Sequence, residues 1–395
     1  MRRWELRASE QERAAGEAAM AACRQWPEQQ GLVIGSGGST GGRKWCLQSW
    51  SNLKLSAQSC GGWLEGNGID PSRVRVVSAL PSHHISGLMP QVRAQEWGAE
   101  LLTISPDELK QPEWLWQRKA ELNADKREAL ISLVPTQLKR LMECPFGLQW
   151  LKRFRLIWIG GSALSPGLAK KARNAQLQIS PCYGATETAA MVCAQNPSSF
   201  LAGVEGCGNP LPDVELKVDA DTHAISVKTE RLSLGWINGA RLESFTDTNG
   251  WWISGDAGRL SERGLEVDGR IDGAINSGGA TIFPERIEAA LSNTQGVQSL
   301  VVVGVPDQEW GERVLGIIKP ENDTNGQTLI KRLSQAAAAL TPEERPKKWI
   351  IRRDLSRNQE GKWDRNHWRK LAVKSEIEEN REPQKEKTYR AGINQ

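Results

Sequence analysis

The sequence predicts an α/β fold: a large N-terminal domain of layered, mostly parallel sheets with a small β unit, followed by a small α+β C-terminal domain. Three observations carry this expectation. Between residues 74 and 159 short apolar runs alternate with helical patterns, as parallel sheets with crossover helices require. From about Val214 apolar and polar residues alternate instead, as in an antiparallel hairpin. After Gly269-Arg270 a smaller segment begins, built around the very apolar run Leu300 to Val305.

Residues 1–30 are Ala-rich but carry charges throughout, so they lack the apolar core of a secretory leader. Ser9 with Glu12 predicts a capping box opening an amphipathic helix. The apolar run Gly31-Leu32-Val33-Ile34 then leads into a glycine-rich stretch. Val74 to Leu80, Glu100 to Ile104, Ala129 to Val134 and Arg155 to Ile159 read as buried strands. Ser86 to Trp97, Gln111 to Leu122 and Thr136 to Met142 read as helices. Val214 to Val218 and Ala224 to Val227 read as a hairpin, Leu300 to Val305 and Val314 to Ile318 as strands, and 327–340 as helical. These elements divide the chain into an N-terminal domain over 1–269 and a C-terminal domain over 270–372. Residues 373–395 are mixed-charge and poor in apolar residues, which predicts a disordered tail.

At 395 residues the chain has ample core for two or three domains. A net charge of +4 is too small to argue for nucleic acid. The seven cysteines, at 23, 46, 60, 144, 182, 193 and 207, form no Cys-x-x-Cys pair and are odd in number. That suits a reduced cytoplasm better than a disulfide scaffold or a zinc site. No apolar run approaches the ~18 residues that span a membrane. Of the 17 tryptophans most are assigned to packing, with an aromatic pocket left as the alternative for some.

The most informative stretch is Ser36-Gly37-Gly38-Ser39-Thr40-Gly41-Gly42-Arg43-Lys44. Its glycines let backbone N–H groups approach an anion closely. Ser36, Ser39 and Thr40 add hydroxyl donors and Lys44 a point charge. Locally it fits either a flexible linker or a polyphosphate cradle. A Walker loop is disfavoured, because Arg43 intervenes and Trp45 stands where a magnesium-binding hydroxyl is needed. This stretch, Leu80-Pro81-Ser82-His83-His84, Gly160-Gly161-Ser162 and Pro181-Cys182-Tyr183-Gly184 all fall at expected strand ends, where ligands bind in α/β folds. Further on come Tyr183-Gly184-Ala185-Thr186-Glu187 and Trp252-Ile253-Ser254-Gly255-Asp256, the latter ending a strand. Then come Gly269-Arg270-Ile271-Asp272 with Ser277-Gly278-Gly279, Pro284-Glu285-Arg286-Ile287-Glu288, and Gly361-Lys362. Each alone is an ordinary turn or surface group.

Their order is what matters. From the glycine-rich loop to Lys362 the chain resembles the adenylate-forming superfamily of acyl-CoA synthetases, luciferases and nonribosomal adenylation domains. The resemblance implies that a carboxylate attacks the α-phosphate of ATP, and that the thiol of coenzyme A then displaces AMP. It implies that Ser36, Gly37, Gly38, Ser39, Thr40, Gly41 and Lys44 hold the β- and γ-phosphates. Tyr183 would pack on adenine beside Gly184, with Gly160, Gly161 and Ser162 as another wall. Asp256 and Arg270 would hold the ribose, and Thr186 would donate to the α-phosphate. Glu187 would place Mg²⁺, the expected cofactor. Lys362 would stabilise charge in the first step, and His84 would stand at the carboxylate entrance, whereas His83 reads as a loop residue. Asp272 would be the hinge that brings in Ser277-Gly278-Gly279 to form the coenzyme A tunnel.

Two departures stand out. Arg43 replaces the usual proline, and the phosphate loop begins at residue 36, far earlier than in most relatives. Residues 1–30, or a second copy in a homodimer, would then cover the sheet that a longer N-terminal segment normally covers. Leu80 to Leu88 and Cys182 to Ala189 are similar to the matching segments of 2-succinylbenzoate–CoA ligases of menaquinone and phylloquinone synthesis, and the compact length resembles their short cyanobacterial forms. No residue of the sequence singles itself out for that acid's second carboxylate. Another aryl- or medium-chain acyl-CoA synthetase, or a noncatalytic nucleotide-binding relative, remains as an alternative; nucleic acid finds no supporting motif.

Overall fold

A computed structural model describes residues 4–37, 44–322, 324–357 and 363–376. The chain divides at residues 267 and 268 into two compact units, the short segment 165–167 belonging with the second.

The first unit contains three sheets. One has five strands, in the order Trp4–Arg7, Gly31–Ser36, Lys44–Ser49, Trp236–Asn238, Arg241–Glu243. Its first pair is parallel and the rest are antiparallel. Both faces are covered, which explains the unbroken apolar run at 31–34. Val33, Trp45 and Leu47 pack against Trp4 and Met20. Leu32, Ile34 and Cys46 pack against helices. The first cover is the N-terminal segment itself, whose helix α1 (Arg13–Ala22) carries Met20. Gly16 permits the close approach, because a Cβ there would stand 2.6 Å from Leu6 Cδ1 and 2.9 Å from the Trp45 ring. The expected capping box is only half formed. Ser9 donates its N–H and hydroxyl to Glu12, at 3.3 and 2.7 Å, but α1 starts at Arg13 without a side-chain cap.

The second sheet has seven strands. Ile179–Ala185, Phe154–Ile159, Glu128–Leu133, Val74–Ser78 and Glu100–Thr103 run parallel in that spatial order, and Ala190–Ala194 and Asn209–Pro210 add an antiparallel edge. Helices α2 (Trp50–Gly66) and α3 (Ile85–Trp97) form the layer between the two sheets. In α2, Leu53 and Ala57 face the first sheet, while Cys60 and Leu64 face the second. In α3, Leu88 and Val92 take the first role and Ala94 and Trp97 the second. The helix expected over 111–122 is shorter. It spans Pro112–Gln117 and gives way to a 3-10 tract over Lys119–Lys126. That tract ends at Asp125 and Lys126, both at positive φ, where the chain turns into the next strand. The third sheet has four strands, Glu215–Val218, Ala224–Lys228, Trp252–Ser261 and Gly264–Arg270, beginning with the expected hairpin.

The second unit is built on an antiparallel sheet of Ala280–Ile282, Ile275–Ser277, Gly311–Pro320 and Val297–Asp307, with Lys348–Ile351 parallel to Gly311–Pro320. Its apolar strand is buried on both sides. Leu300 and Val302 meet the helices Pro284–Leu291 and Gly326–Ala336 through Ile287 and Leu329. Val301, Val303 and Val305 meet Leu355, Trp368 and Ala372. Trp368 and Ala372 lie on a helix spanning 365–376, so residues 373–376, expected in the tail, continue a folded helix. Its last described residue, Glu376, is buried and pairs with Arg313.

Candidate functional site

The glycine-rich stretch joins two antiparallel strands, with Ser36 opposite Lys44. The stretch thus follows the carboxyl end of the strand Gly31–Ser36, as expected, but it closes an antiparallel hairpin where a mostly parallel sheet was expected. Gly38, Ser39, Thr40, Gly41, Gly42 and Arg43 lie outside the described residues. Pairing places Ile34 and Trp236 on either side of Cys46. Side chains alternate along a strand, so Lys44 and Cys46 share a face. Trp236, opposite Cys46, shares it too and lies diagonal to Lys44. The Lys44 Nζ accordingly sits 3.9 Å from the Trp236 ring centroid. The same indole donates its Nε1–H to Glu187 Oε1 at 3.2 Å.

Glu187 lies in the turn after Ile179–Ala185, and side chains on three neighbouring elements hold that turn. Gln48 Nε2 donates to the Thr186 carbonyl at 2.6 Å, and Ser56 Oγ to the Ala189 carbonyl at 2.6 Å. Arg231 donates to the Thr188 and Met191 carbonyls at 2.8 and 2.9 Å. Such bracing is needed because Ala189 and Ala190 both adopt positive φ. Gly184 is required nearby, since a Cβ would stand 2.1 Å from the Ala190 carbonyl oxygen. Glu187 is 8% exposed, and its Oε2 accepts no hydrogen bond from the described residues. A single hard carboxylate suits Mg²⁺, which keeps waters and substrate phosphates as its other ligands. Beside it the Cys46 thiol is pushed well up, by burial first and then by the Glu187 charge, so it stays neutral.

Tyr183, on the same strand as Gly184, donates its hydroxyl to Asp256 Oδ2 at 2.7 Å. Asp256 does not end a strand as expected. It lies inside Trp252–Ser261, just after Gly255 at φ +73°, where the pairing with Ala224–Lys228 shifts register. The bulge redirects the carboxylate toward Tyr183.

His84 precedes α3 with extended backbone, and its ring lies 4.4 Å from that of His83. Gly87 of the Pro-x-x-His-x-x-Gly run is sterically obligatory, because a Cβ would stand 2.2 Å from the Pro81 carbonyl oxygen. Gly161, at φ +79°, turns the chain after Phe154–Ile159 and leads to Ser162. Gly160 lies against Cys182, whose sulfur would be 2.9 Å from an added Cβ. The Cys182 thiol is pushed up to about 12, by burial first and by Cys207 next, while the charge of Arg93 opposes the shift.

Arg93 was not anticipated. It stands on α3 with 4% exposure, its guanidinium 4.9 Å from the Trp158 ring centroid. Its Nε has no hydrogen-bond partner, and no ion pair reaches it among the described residues. A buried, unpaired cation is costly unless an anion joins it. The signal in the sequence was an arginine beside the apolar residues Leu88, Met89, Val92 and Ala94 in the helix expected over 86–97. Trp236 was also missed, because only cross-strand pairing brings it to Lys44.

In the second unit Arg270 grips Asp272 with Nε and Nη2, at 3.1 and 3.0 Å. Ser277, Gly278 and Gly279 turn between two short strands, with Gly278 and Gly279 at positive φ. Gly278 donates its N–H to the Trp310 carbonyl at 2.9 Å, and a Cβ on it would stand 2.5 Å from the Trp310 ring. Lys362 lies outside the described residues. Arg365, just after it, is clasped by Glu285 at 2.9 Å and by Glu288 at 2.5 Å.

Residues 3–230 match the family model of the AMP-binding enzymes, and residues 286–362 match that of the AMP-binding enzyme C-terminal domain. The 2-succinylbenzoate–CoA ligase of Staphylococcus epidermidis is 28% identical over 84% of this chain and 68% of its own length. That of Listeria monocytogenes is 27% identical over 85% and 68%. The o-succinylbenzoate CoA synthetase of Bacillus subtilis, solved with its acyl-adenylate intermediate, superposes with TM-score 0.71 at 26% identity, covering 85% of this chain and 68% of that one. The same enzyme, solved with ATP and a magnesium ion, superposes at TM-score 0.70 and 25% identity, covering 85% and 69%. This chain thus spans about two thirds of the length of the relatives it matches.

Proposed function

Because the chain belongs to the AMP-binding enzyme family, we propose that it is an ATP-dependent acid–CoA ligase whose substrate is 2-succinylbenzoate. In the first half-reaction the aliphatic carboxylate attacks the α-phosphorus and pyrophosphate leaves. In the second the coenzyme A thiol, losing its proton, attacks the acyl carbonyl and AMP leaves. Lys44 and the glycine-rich stretch grip the polyphosphate, and Tyr183, Gly184, Gly161 and Ser162 enclose the adenine. Asp256 accepts from the ribose while held by the Tyr183 hydroxyl, and Arg270 supplies a second ribose contact. Glu187 holds Mg²⁺, which when bound neutralises charge developing on the phosphates. Thr186 donates to the α-phosphate, His84 orients the attacking carboxylate, and Lys362 stabilises the charge of the first transition state. Asp272 is the pivot between the half-reactions, and Ser277, Gly278 and Gly279 line the pantetheine path.

The observation that carries the substrate is Arg93. A buried guanidinium with an unpartnered Nε fits an acid with a second carboxylate, which would be held there in a charge-assisted pair. An acid without that group would leave Arg93 desolvated and unpaired. The seven free thiols suit a reducing cytoplasm, and no described helix is long and apolar enough to cross a membrane. The test is ATP–pyrophosphate exchange over a panel of carboxylic acids, with mass identification of the thioester. Exchange and thioester formation are expected with 2-succinylbenzoate above all others. Preference for a monocarboxylic acid overturns the substrate, and absence of exchange with every acid overturns the ligase.

A further inference from the structure

Lys44 and Glu187 carry opposite charges and both touch Trp236, yet among the described residues no ion pair joins them. The indole keeps them apart by offering each a different part of itself. Its face, electron-rich, receives the Lys44 ammonium at 3.9 Å from the ring centroid. Its N–H edge donates to Glu187 Oε1 at 3.2 Å.

We propose that Trp236 is a positioning residue that spaces Lys44 from Glu187 and aims the Glu187 carboxylate. The proposal rests on the reading of Lys44 as a polyphosphate ligand and Glu187 as the Mg²⁺ anchor. A direct ion pair beside the buried Glu187 would neutralise both groups and compete with metal and phosphate for them. A cation over an aromatic face is a weak partner where the lysine is exposed, as Lys44 is, so polyphosphate draws it off. The N–H bond occupies Oε1 and fixes the carboxylate, so that Oε2 faces no competing donor among the described residues.

The indole is itself held rigidly. Phe245 packs on it at 4.8 Å between centroids, and Trp252 backs Phe245 at 5.9 Å. Its strand is pinned beside Lys44–Ser49 by Leu47 N–H to the Gly235 carbonyl at 3.0 Å and Leu234 N–H to the Leu47 carbonyl at 2.9 Å. The backbone of Glu187 is tied to the same segment, since Ser233 N–H donates to its carbonyl at 2.7 Å. Carboxylate, indole and lysine strand therefore form one frame. Phenylalanine would supply the face without the donor, and leucine neither.

The experiment compares Trp236→Phe, Trp236→Leu and Glu187→Gln, each checked for wild-type thermal unfolding, in ATP–pyrophosphate exchange titrated with Mg²⁺ and with ATP. Trp236→Phe is expected to raise the half-saturating Mg²⁺ concentration by roughly three- to tenfold, the size of one lost hydrogen bond, with the ATP KM at saturating Mg²⁺ unchanged. It should add nothing to Glu187→Gln in the double variant. Trp236→Leu should raise the ATP KM as well; if it does not fold, Trp236→Phe decides alone. If Glu187→Gln shifts the Mg²⁺ titration and Trp236→Phe does not, the role of Trp236 is overturned and the metal reading stands. If Glu187→Gln shifts nothing, the metal reading falls and the proposal with it. A second readout needs no turnover. In protein labelled with 5-fluorotryptophan, the fluorine resonance missing from Trp236→Phe should move when pyrophosphate is added without Mg²⁺. A resonance that stays in place overturns the resting place of Lys44.

Discussion

The Tyr183 hydroxyl and the Asp256 carboxylate meet at 2.7 Å, tying the seven-stranded sheet to the four-stranded one. Burial first, and then the Asp256 charge, hold the phenol well above its ordinary range. It therefore remains a donor at any working pH, and its bond to Oδ2 fixes the orientation of the Asp256 carboxylate. Tyr183→Phe removes that donor and keeps the ring. AMP affinity, measured by calorimetry, should fall by about three- to tenfold, the equivalent of about 1 kcal/mol for one hydrogen bond. Unchanged affinity would mean that Asp256 needs no such anchor.

Arg93→Met replaces the guanidinium with an apolar chain of similar length. With 2-succinylbenzoate, kcat/KM should drop by about 100-fold, as expected when a charge-assisted pair worth about 3 kcal/mol is lost. With 4-oxo-4-phenylbutanoate, which lacks the ring carboxylate, it should stay level or rise. The free variant should also be no less stable than wild type to heat, because a buried unpaired charge has been removed. Equal loss on both acids would remove Arg93 from substrate recognition.

Gly278→Ala probes the second half-reaction. The residue sits at φ +59°, and the new methyl would strike the Trp310 ring. The backbone term alone is about 1 kcal/mol. Transfer from supplied acyl-adenylate to coenzyme A should slow several-fold while pyrophosphate exchange stays at the wild-type rate. Slowing of exchange instead would move this turn out of the thiol path.

Lys362→Ala should behave in the opposite way. Adenylation should fall by about 10²–10³-fold, the typical loss of one preorganised donor, and transfer from preformed acyl-adenylate should persist. Two single-turnover rates on one sample decide it, and equal loss of both would exclude the assigned role.

Asp213 gives a stability test. Burial raises its carboxyl, but the hydrogen bond and charge of Arg231, joined by hydrogen bonds from Ser59 and Thr229, together outweigh burial, so its value is depressed in the folded state. A depressed carboxyl stabilises above its unfolded value near 3.9 and loses that contribution as pH falls through the folded value. Arg231 is fully buried and would be left with an unbalanced charge. Asp213→Asn should therefore cost about 2 kcal/mol at pH 7, less than the usual penalty for a buried pair because Asp213 is about a third exposed. Urea midpoints of the two proteins should converge below about pH 4; a gap independent of pH would exclude the ion pair as its cause.

Local pattern was enough to read the strands Val74–Ser78 and Phe154–Ile159, whose apolar residues outnumber the polar Arg75, Ser78 and Arg155. The order of short motifs was enough to bring Tyr183, Glu187 and Asp256 into one reading. Trp236 could not be read this way. Its neighbours in sequence, Gly235 and Ile237, say nothing of Lys44, and the contact arises from antiparallel register alone. Arg93 was hidden for a different reason: periodicity marks a buried helix face but does not say which polar residue on it lacks a partner. The helix expected through residue 122 failed because burial alone does not fix the helix type: Leu115 on Pro112–Gln117 and Leu122 on the 3-10 tract reach the same core.

The five-stranded sheet also orders events during synthesis. Trp4–Arg7, Gly31–Ser36 and Lys44–Ser49 are close in the chain and can pair as soon as they leave the ribosome. The strand Trp236–Asn238, which completes the far side, appears only after the whole seven-stranded sheet has been made. Such distant pairing is slow, because a long loop must close first. A nascent chain thus carries an open sheet edge, with Trp45, Cys46 and Leu47 lacking that neighbour, while residues 50–235 are being made. Ribosome-bound chains halted before residue 236 should be the ones that trigger factor or other holding chaperones retain. Nucleotide binding would then appear abruptly, as a late event, once Trp236 docks.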